Sequence, residues 1–292
     1  MDGILVIDKP MGATSHDMVS FTRRLFGIKK VGHTGTLDPM ATGVLPVCIG
    51  KATKAADMLT ASDKGYTAQM VLGMTTDTLD AEGEILAEQP VTVTREEFEN
   101  AIMSFVGEIE QIPPMFSAIK QGGKKLYELA REGITVERKP RQVRIFKIEI
   151  HEIDMENYTA TFSVFCSKGT YIRTLCEDIG MKLGCGAYMN TLRRIKSANF
   201  TLDNCYTRQE LVAMKDAGTL QDAVIPVDKI FEDYKIVKLD AFLSAKAKNG
   251  VRIRRKGLTQ GDFYRIYGED GEFLCISRYE KGELILEKAF WN

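Results

Sequence analysis

The sequence predicts an α+β protein: a mixed, mostly antiparallel sheet flanked by helices, with a small β-rich unit at its C-terminal end. Three observations carry this reading. Residues 66–72 and 158–166 alternate in side-chain character with a period of two, the mark of strands with one buried face. Thr14-Ser15-His16-Asp17, Thr94-x-x-Glu97 and Thr207-x-x-Glu210 each set a hydroxyl three residues ahead of an acid, which is how helices are capped at their start. After Asp222 the chain changes to short apolar runs separated by Gly-containing turns. Strands with helices interspersed among them belong to the α+β class.

Taken in order, residues 4–7 read as a strand. A helix runs from the Thr14 cap to a stop at Gly27, and residues 44–49 form a second strand. Tyr66, Ala68, Met70 and Leu72 share one face of the next. The helix opened by Thr94 carries Phe98, Ile102 and Phe105 on one side. Residues 124–132 form a short basic helix between Gly122-Gly123 and Gly133. Residues 143–153 and 158–166 are strands, residues 170–183 a helix ending at Gly184, and Thr207 starts another helix. Residues 225–227 and Glu232-Asp233 form a connector. Beyond it Asp240 caps a helix to Lys248, and strands at 263–267, 273–277 and 284–286 are joined by turns at Glu269-Asp270-Gly271 and Lys281-Gly282.

With 292 residues, the chain is long enough for about two domains. Hydrophobic residues make up 44% and charged residues 27%, ordinary globular usage that excludes disorder, collagen, coiled coil and a disulfide scaffold as readings of the whole chain. No apolar run approaches the roughly 18 residues a membrane span needs, and the N-terminus lacks a basic segment followed by an apolar one. A soluble, cytoplasmic protein without a membrane partner is expected. The six cysteines include no C-x-x-C pair, and there are three histidines, so reduced thiols and no metal site are expected. Neither a P-loop nor a strand-associated G-x-G-x-x-G is present, so no nucleotide cofactor is expected.

The net charge of −1 argues against a polyanionic partner, but its distribution does not. Residues 115–144 hold eight basic and three acidic residues, 246–258 hold six basic and no acidic ones, and 77–110 hold ten acids and one Arg. A polyanion responds to the field within about a Debye length, roughly 8–10 Å, and not to the sum over the chain. Charge runs of this kind are also what solvated faces look like.

The densest segment is Gly32-His33-Thr34-Gly35-Thr36-Leu37-Asp38-Pro39-Met40-Ala41-Thr42-Gly43. Its glycines and proline make it a tightly specified loop leading into a strand, and Asp38, held before a Pro with fixed φ, is rigidly presented. On spacing alone Asp38 reads equally as a turn-capping residue.

This segment resembles the catalytic loop of the TruB family of tRNA pseudouridine synthases. Further blocks resemble that family in order: Gly3-Ile4-Leu5-Val6-Ile7-Asp8-Lys9-Pro10, Ser62-Asp63-Lys64-Gly65-Tyr66, Thr76-Asp77-Thr78-Leu79-Asp80-Ala81-Glu82-Gly83, Pro113-Pro114-Met115-Phe116-Ser117-Ala118-Ile119-Lys120, Cys166-Ser167-Lys168-Gly169-Thr170-Tyr171-Ile172-Arg173-Thr174-Leu175 and Leu192-Arg193-Arg194-Ile195. The resemblance covers about residues 3–200. It implies the pseudouridine synthase fold over residues 1–232, with a basic RNA-clamping insertion at about 115–144. Residues 233–292 look, on weaker motifs, like a PUA-type RNA-binding module. Thr36 stands where other members often carry Ala, and Leu79 replaces a commonly polar residue.

The resemblance implies an isomerase that converts the uridine at position 55 in the tRNA T loop to pseudouridine. The N1–C1′ bond breaks, the base turns and C5 bonds to C1′, with no cofactor. Asp38 is implied as the nucleophile or base, by attack on C1′, addition to C6 or removal of a C2′ proton, Arg173 as its cationic partner, and Tyr66 as the ring that stacks on the uracil with its hydroxyl at C5. A carboxylate must be ionised for this work, and burial alone would oppose that, so a fixed cation beside it has a physical reason. His33 is implied to fill the gap left by the flipped base, Leu192 to pack on the other base face, and Tyr171, Lys64 and Lys9 to lie at the substrate. Lys120, Lys124, Lys125 and Arg131 would hold phosphates, with Gly122-Gly123 permitting motion of this lid. Lys246 to Lys256, Arg254 and Arg255 among them, would reach the acceptor stem. The acidic stretch 77–110 should then face away from RNA, at least in part. Without the resemblance each residue has a plainer reading: Arg173 as a surface residue near a helix start, Tyr66 as a strand aromatic, Leu192 as core, His33 as a hydrogen-bonded loop histidine.

A stand-alone monomeric enzyme acting on tRNA, with no obligatory protein partner or guide RNA, is the expectation. The alternatives are a non-catalytic RNA chaperone on the same fold, a guide-dependent relative of the dyskerin type, and a glycosidase. The last generally needs two carboxylates, and the matched motifs give Asp38 no evident acidic partner.

Overall fold

The computed structural model describes residues 1–291. The chain opens with β1 (Gly3–Lys9) and α1 (Ser15–Phe26). Thr14 and Asp17 exchange hydrogen bonds as a capping box, and Gly27 takes the left-handed φ of 67° that ends the helix. β2 (Val31–His33) and β3 (Thr42–Ile49) bracket the Gly- and Pro-rich loop. A 3-10 turn and α2 (Ala56–Thr60) lead to β4 (Lys64–Leu72). The hairpin of β5 (Met74–Thr76) and β6 (Ile85–Glu88) precedes α3 (Arg95–Met103) and β7 (Gly107–Gln111). An excursion follows: β8 (Lys120–Gln121), β9 (Lys124–Lys125) and α4 (Leu126–Arg131). β10 (Arg141–Asp154), β11 (Thr159–Cys166), α5 (Ile172–Leu183), β12 (Ala187–Ser197) and β13 (Phe200–Thr201) complete the large sheet. After α6 (Arg208–Asp216) come β14 (Lys235–Lys238), α7 (Ala241–Lys248), β15 (Ile253–Arg254), β16 (Phe263–Tyr267), β17 (Phe273–Glu280) and β18 (Glu283–Ala289).

The large sheet runs β1-β3-β12-β4-β11-β10-β7, with β2 added to β3 and β13 to β12. Its pairs are antiparallel except β3 with β12. The second sheet runs β14-β16-β17-β18-β15. This is the α+β architecture expected. Alternation decides which face is buried. Ala68, Met70 and Leu72 of β4 and Ala160, Phe162 and Val164 of β11 lie under Phe98 and Ile102 of α3 and Leu175 and Ile179 of α5. The other face carries Thr67, Gln69, Thr161 and Ser163, which pair with one another across the strands. Helix α5 rests close on the sheet because Gly180 has no side chain: a Cβ there would stand 2.3 Å from the Ala187 nitrogen.

Three parts of the structure differ from the sequence reading. β12, a central strand, was not expected, because two register shifts, at Met189/Thr191 and Arg194/Lys196, interrupt its alternation and its buried positions include Arg194. The helix expected at 124–132 starts only at Leu126: Lys124 and Lys125 pair instead with Gln121 and Lys120. The segment read as a connector is packed. Ile225 bonds to Ile4 in both directions, and Val227, Ile230 and Phe231 are buried in a core that also holds Ile4, Val6 and Val44 of the large sheet and Ile276 and Phe290 of the C-terminal part. The two sheets therefore share a core, and Phe231 sits in it, stacked on Tyr234 and tilted against Phe290.

Removing the Phe231 ring opens a cavity where the two sheets meet. Phe231→Ala should lower stability by about 3–5 kcal/mol, measured by denaturant unfolding, and should make residues 232–235 a preferred site of limited proteolysis. A melting curve and cleavage pattern like those of the unmodified chain would contradict this shared core.

Candidate active site

The loop between β2 and β3 is held by hydrogen bonds from all sides. Thr34 is buried and donates through its nitrogen and Oγ1 to the Pro46 carbonyl at 3.0 and 3.4 Å. Ser15 of α1 accepts from the Leu37 nitrogen at 2.9 Å, and its Oγ donates to the Leu37 carbonyl at 3.2 Å. The Gly12 nitrogen donates to the Pro39 carbonyl at 2.9 Å. Leu37, Met40 and Ala41 turn into the core, Thr36 and Pro39 are exposed, and Asp38 lies half-buried between them against Arg173. Gly43 ends the loop where β3 meets β12: its φ is 99°, and a Cβ there would stand 2.2 Å from the Arg194 carbonyl oxygen. No other residue fits that approach.

Arg173, near the start of α5, reaches Asp38 through Nε at 3.1 Å. Its side chain is 6% exposed, while that of Asp38 is 36% exposed. The guanidinium also donates to the Thr78 carbonyl at 2.9 Å and the Phe116 carbonyl at 2.8 Å, and its Nη1 lies 3.6 Å from the Asp80 carboxylate. Asp80 is itself buried, accepting from Thr78 Oγ1 at 2.6 Å and the Glu82 nitrogen at 3.1 Å. Two carboxylates thus share one buried cation. Burial pushes the Asp38 carboxyl above the usual range; Arg173 opposes this and the charge of Asp80 adds to it. Asp80 lies in the acidic stretch expected to face away from RNA at least in part, and this one residue of it stands at the site. Asp38 also has an acidic neighbour after all.

β4 and β12 form the floor. Lys64, Tyr66 and Ala68 share one face of β4, and Leu192 and Arg194 stand opposite Ala68 and Tyr66 on β12. Tyr66 is half-buried, and burial pushes its phenol up while the Arg194 guanidinium beside it pulls the other way. Leu192 is largely buried at the edge of the same core cluster. His33 is half-buried in β2. Burial and the charge of Arg194 lower its pKa, so its ring is neutral at pH 7, and Nδ1 has no partner among the described residues. Tyr171 starts α5 without a side-chain cap. Gln111 of β7 holds it instead, accepting from the Tyr171 nitrogen at 3.0 Å and donating to its carbonyl at 3.2 Å.

Two expected substrate residues stand elsewhere in the geometry. Lys9 is fully buried, and its three N–H groups go to the carbonyls of Pro10, Ala13 and Pro39 at 3.0, 2.6 and 3.1 Å. With every donor used, it braces the Asp38 loop and has none left for a ligand. Lys64 is buried too, donating to the carbonyls of Thr60 and Ser62. Burial pushes both ammonium groups down to about 8.

The basic insertion leaves the sheet between β7 and β10, and Arg138 closes its neck by donating to the Pro113 carbonyl at 3.0 Å. Lys120, Lys124 and Arg131 are exposed, and Lys125 is half-buried. Lys124 pairs with Glu132 at 3.0 Å, while Lys125 and Arg131 lie over the Tyr127 ring. Arg254 and Arg255 are exposed and line, with Lys256, Lys281 and Tyr279, a concavity of about 550 Å³ in the C-terminal part.

Asp80, Gln111 and Arg194 are the site residues that reading the sequence missed. All three lie in or beside motif blocks, but their partners are 60 to 159 residues away in the chain. The one available signal was their polarity in segments that had to be buried.

A family model described as TruB family pseudouridylate synthase (N terminal domain) matches residues 23–172, and one described as tRNA pseudouridylate synthase B C-terminal domain matches residues 173–232. Among curated relatives, the tRNA pseudouridine synthase B of Methylobacillus flagellatus is 46% identical over 94% of this chain and 90% of that protein. The one from Alkaliphilus oremlandii is 50% identical over 94% of this chain and 89% of its own. Among solved structures, a Cbf5-Nop10-Gar1 complex contains a chain with a TM-score of 0.76 at 28% identity, covering 99% of this chain and 85% of that one. A chain of an H/ACA RNP bound to a substrate RNA containing 2′-deoxyuridine has a TM-score of 0.74 at 26% identity, with the same two coverages.

The paired carboxylates make a pH prediction. Any activity that needs ionised Asp38 should fall, as the pH drops, through an apparent pKa above the ordinary carboxylate value near 4. Asp80→Asn removes a neighbouring negative charge and should move that acid limb to lower pH. A pH–rate profile whose limb stays in place in Asp80→Asn would refute the coupling.

Proposed function

This chain belongs to the TruB family of pseudouridylate synthases and is a pseudouridine synthase, and we propose that it acts on tRNA, converting uridine 55 of the T loop to pseudouridine. The observation that carries this is the rigid presentation of Asp38 at the cleft rim against a buried Arg173, above a floor that holds Tyr66. The names of the relatives support tRNA as the substrate.

In this reading Asp38 is the nucleophile. Arg173 keeps its carboxylate charged although burial opposes ionisation, and the pair is charge-assisted and directional. The N1–C1′ bond breaks, the freed base turns, and C5 bonds to C1′. Tyr66 stacks on the uracil, and its hydroxyl serves the proton at C5. Leu192 borders the base from β12, and Tyr171, fixed by Gln111, contacts the nucleotide. The target base must leave its stack, which costs a few kcal/mol. His33, neutral and planar, takes the space left behind. Lys9 and Lys64 act by holding the loop and the start of β4.

Binding is assigned to two basic surfaces. Lys120, Lys124, Lys125 and Arg131 of the insertion clamp the T stem-loop, with motion at Gly122-Gly123. Residues 233–292, as a PUA-like domain carrying Arg254 and Arg255, follow the acceptor stem. RNA read this way is recognised by shape, backbone and unstacked bases. The likeness to chains from H/ACA complexes supports a second, guide-dependent reading, which the same assay separates.

Tritium release from a [5-³H]uridine tRNA transcript, without metal, nucleotide or guide RNA, tests the reaction. The unmodified chain should release tritium. Asp38→Asn should release none while tRNA affinity stays within about threefold, since a single carboxylate already paired with Arg173 contributes little to polyanion binding. No release by the unmodified chain, with tight tRNA binding, would favour the guide-dependent reading. The clamp makes its own prediction: Lys124→Glu with Lys125→Glu should weaken tRNA binding and reduce the slope of log K against log salt by about 1–2. An unchanged slope would remove the insertion from the RNA contact.

A further inference from the structure

Two arginines are buried around the cleft, and they are satisfied differently. Arg173 has the carboxylates of Asp38 and Asp80. Arg194 is 1% exposed, yet among the described residues it forms no ion pair with a carboxylate. Its anchors are carbonyls: Nε donates to Val44 at 2.7 Å and Nη2 to Gly35 at 3.2 Å. Opposite it in the β4–β12 register stands Tyr66, on the same face of the sheet, and the charge of the guanidinium favours the ionised form of its phenol. Burying a cation without a counter-anion is costly, and stability by itself would favour an apolar side chain at this place. An Arg that keeps its charge here holds an uncompensated positive field against one neighbouring oxygen.

We propose that Arg194 is a positioning residue for the reaction, a fixed cation that holds the Tyr66 oxygen and favours its charge-bearing form while that oxygen takes the proton from C5. The inference rests on the reading of the Asp38–Tyr66 site as a pseudouridine synthase centre. In the step concerned, the new C5–C1′ bond is already made and N1=C6 is a double bond. The C5–H bond breaks and its electron pair forms C5=C6. The former N1=C6 π pair moves to N1, which takes a proton from water, and the proton from C5 passes through the Tyr66 oxygen to water. One proton leaves carbon and one arrives on nitrogen, so no oxidant or reductant enters. A phenol pushed up by burial is a poor acceptor for that proton, and the adjacent guanidinium opposes this directly.

Single-turnover rates on tRNA transcripts carrying 5-protio- or 5-deuterouridine, between about pH 6 and 9.5, test this against a purely structural role in tying Gly35 and Val44 to β12. Arg194→Met should slow turnover about 100-fold. It should show a larger primary isotope effect at C5 than the unmodified chain, and its rate should climb with pH as the phenol ionises unaided. Arg194→Lys, which keeps a cation, should show neither the larger isotope effect nor the alkaline rise. Adding Arg194→Met to Tyr66→Phe should cost little more, because Arg194 acts through the Tyr66 oxygen. If Arg194→Met does not fold, Arg194→Gln replaces it in the same comparison. Slowing without a larger isotope effect, an alkaline rise in Arg194→Lys, or additive losses in the double variant would each overturn the inference. An unmodified chain that never releases the C5 proton from tRNA would overturn the functional reading itself, which is a distinguishable failure.

Discussion

One buried guanidinium ties together stretches of chain that have no other reason to meet. Arg173 binds Asp38 of the β2–β3 loop, the Thr78 carbonyl and Asp80 carboxylate of the turn before β6, and the Phe116 carbonyl at the root of the basic insertion. A planar, permanently charged fork can bridge such different acceptors at once; a lysine ammonium cannot do so with fixed directions. Breaking a buried pair of this kind leaves an uncompensated charge and costs several kcal/mol. The geometry of the cleft, the ionisation of Asp38 and the seat of the insertion therefore depend on the same contact.

That contact can form only because backbone elements come unusually close. Gly43 lets the end of the Asp38 loop lie against the carbonyl of Arg194, and Gly180 lets α5 lie against the start of β12. β12 is thus fixed on one side by the helix that carries Arg173 and on the other by the strand that follows Asp38. Arg193 of the same strand adds a two-pronged bond to Asp8 of β1, at 3.1 and 2.8 Å. Several of the motif blocks, distant in sequence, meet at this strand: the one at Asp8, the one leading into Tyr66 and the one at Asp80.

The cleft is also electrostatically divided. Arg173 faces the carboxylates of Asp38 and Asp80 and is compensated. Arg194 faces carbonyls and a phenol and is not compensated, which suits an effect on a neighbour whose charge changes during reaction. His33 lies in that same positive field and stays neutral. The basic residues of the insertion and of the C-terminal part are mostly exposed and partly paired with acids, and such surface pairs are weak.

Much of this was legible in the sequence, for local reasons. Helix starts at Thr14, Thr94 and Thr207 are written in residues three apart, and strand faces such as Ala68-x-Met70-x-Leu72 in residues two apart. The resemblance of the motif blocks singled out Asp38, Tyr66 and Arg173, and the structure joins Arg173 directly to Asp38 and sets Tyr66 on β4 opposite Arg194. Tertiary structure alone decided the rest. It made Lys9 a brace of the Asp38 loop, because burial turns all three of its donors onto carbonyls, Pro39 among them, and it buried Lys64 with two donors on the carbonyls of Thr60 and Ser62. It made β12 a central strand despite its broken alternation, because two register shifts slip its faces. It set Asp80 beside Asp38 and Arg194 beside Tyr66, pairings across long stretches of chain that no local pattern encodes, because a buried charge is defined by what surrounds it in space.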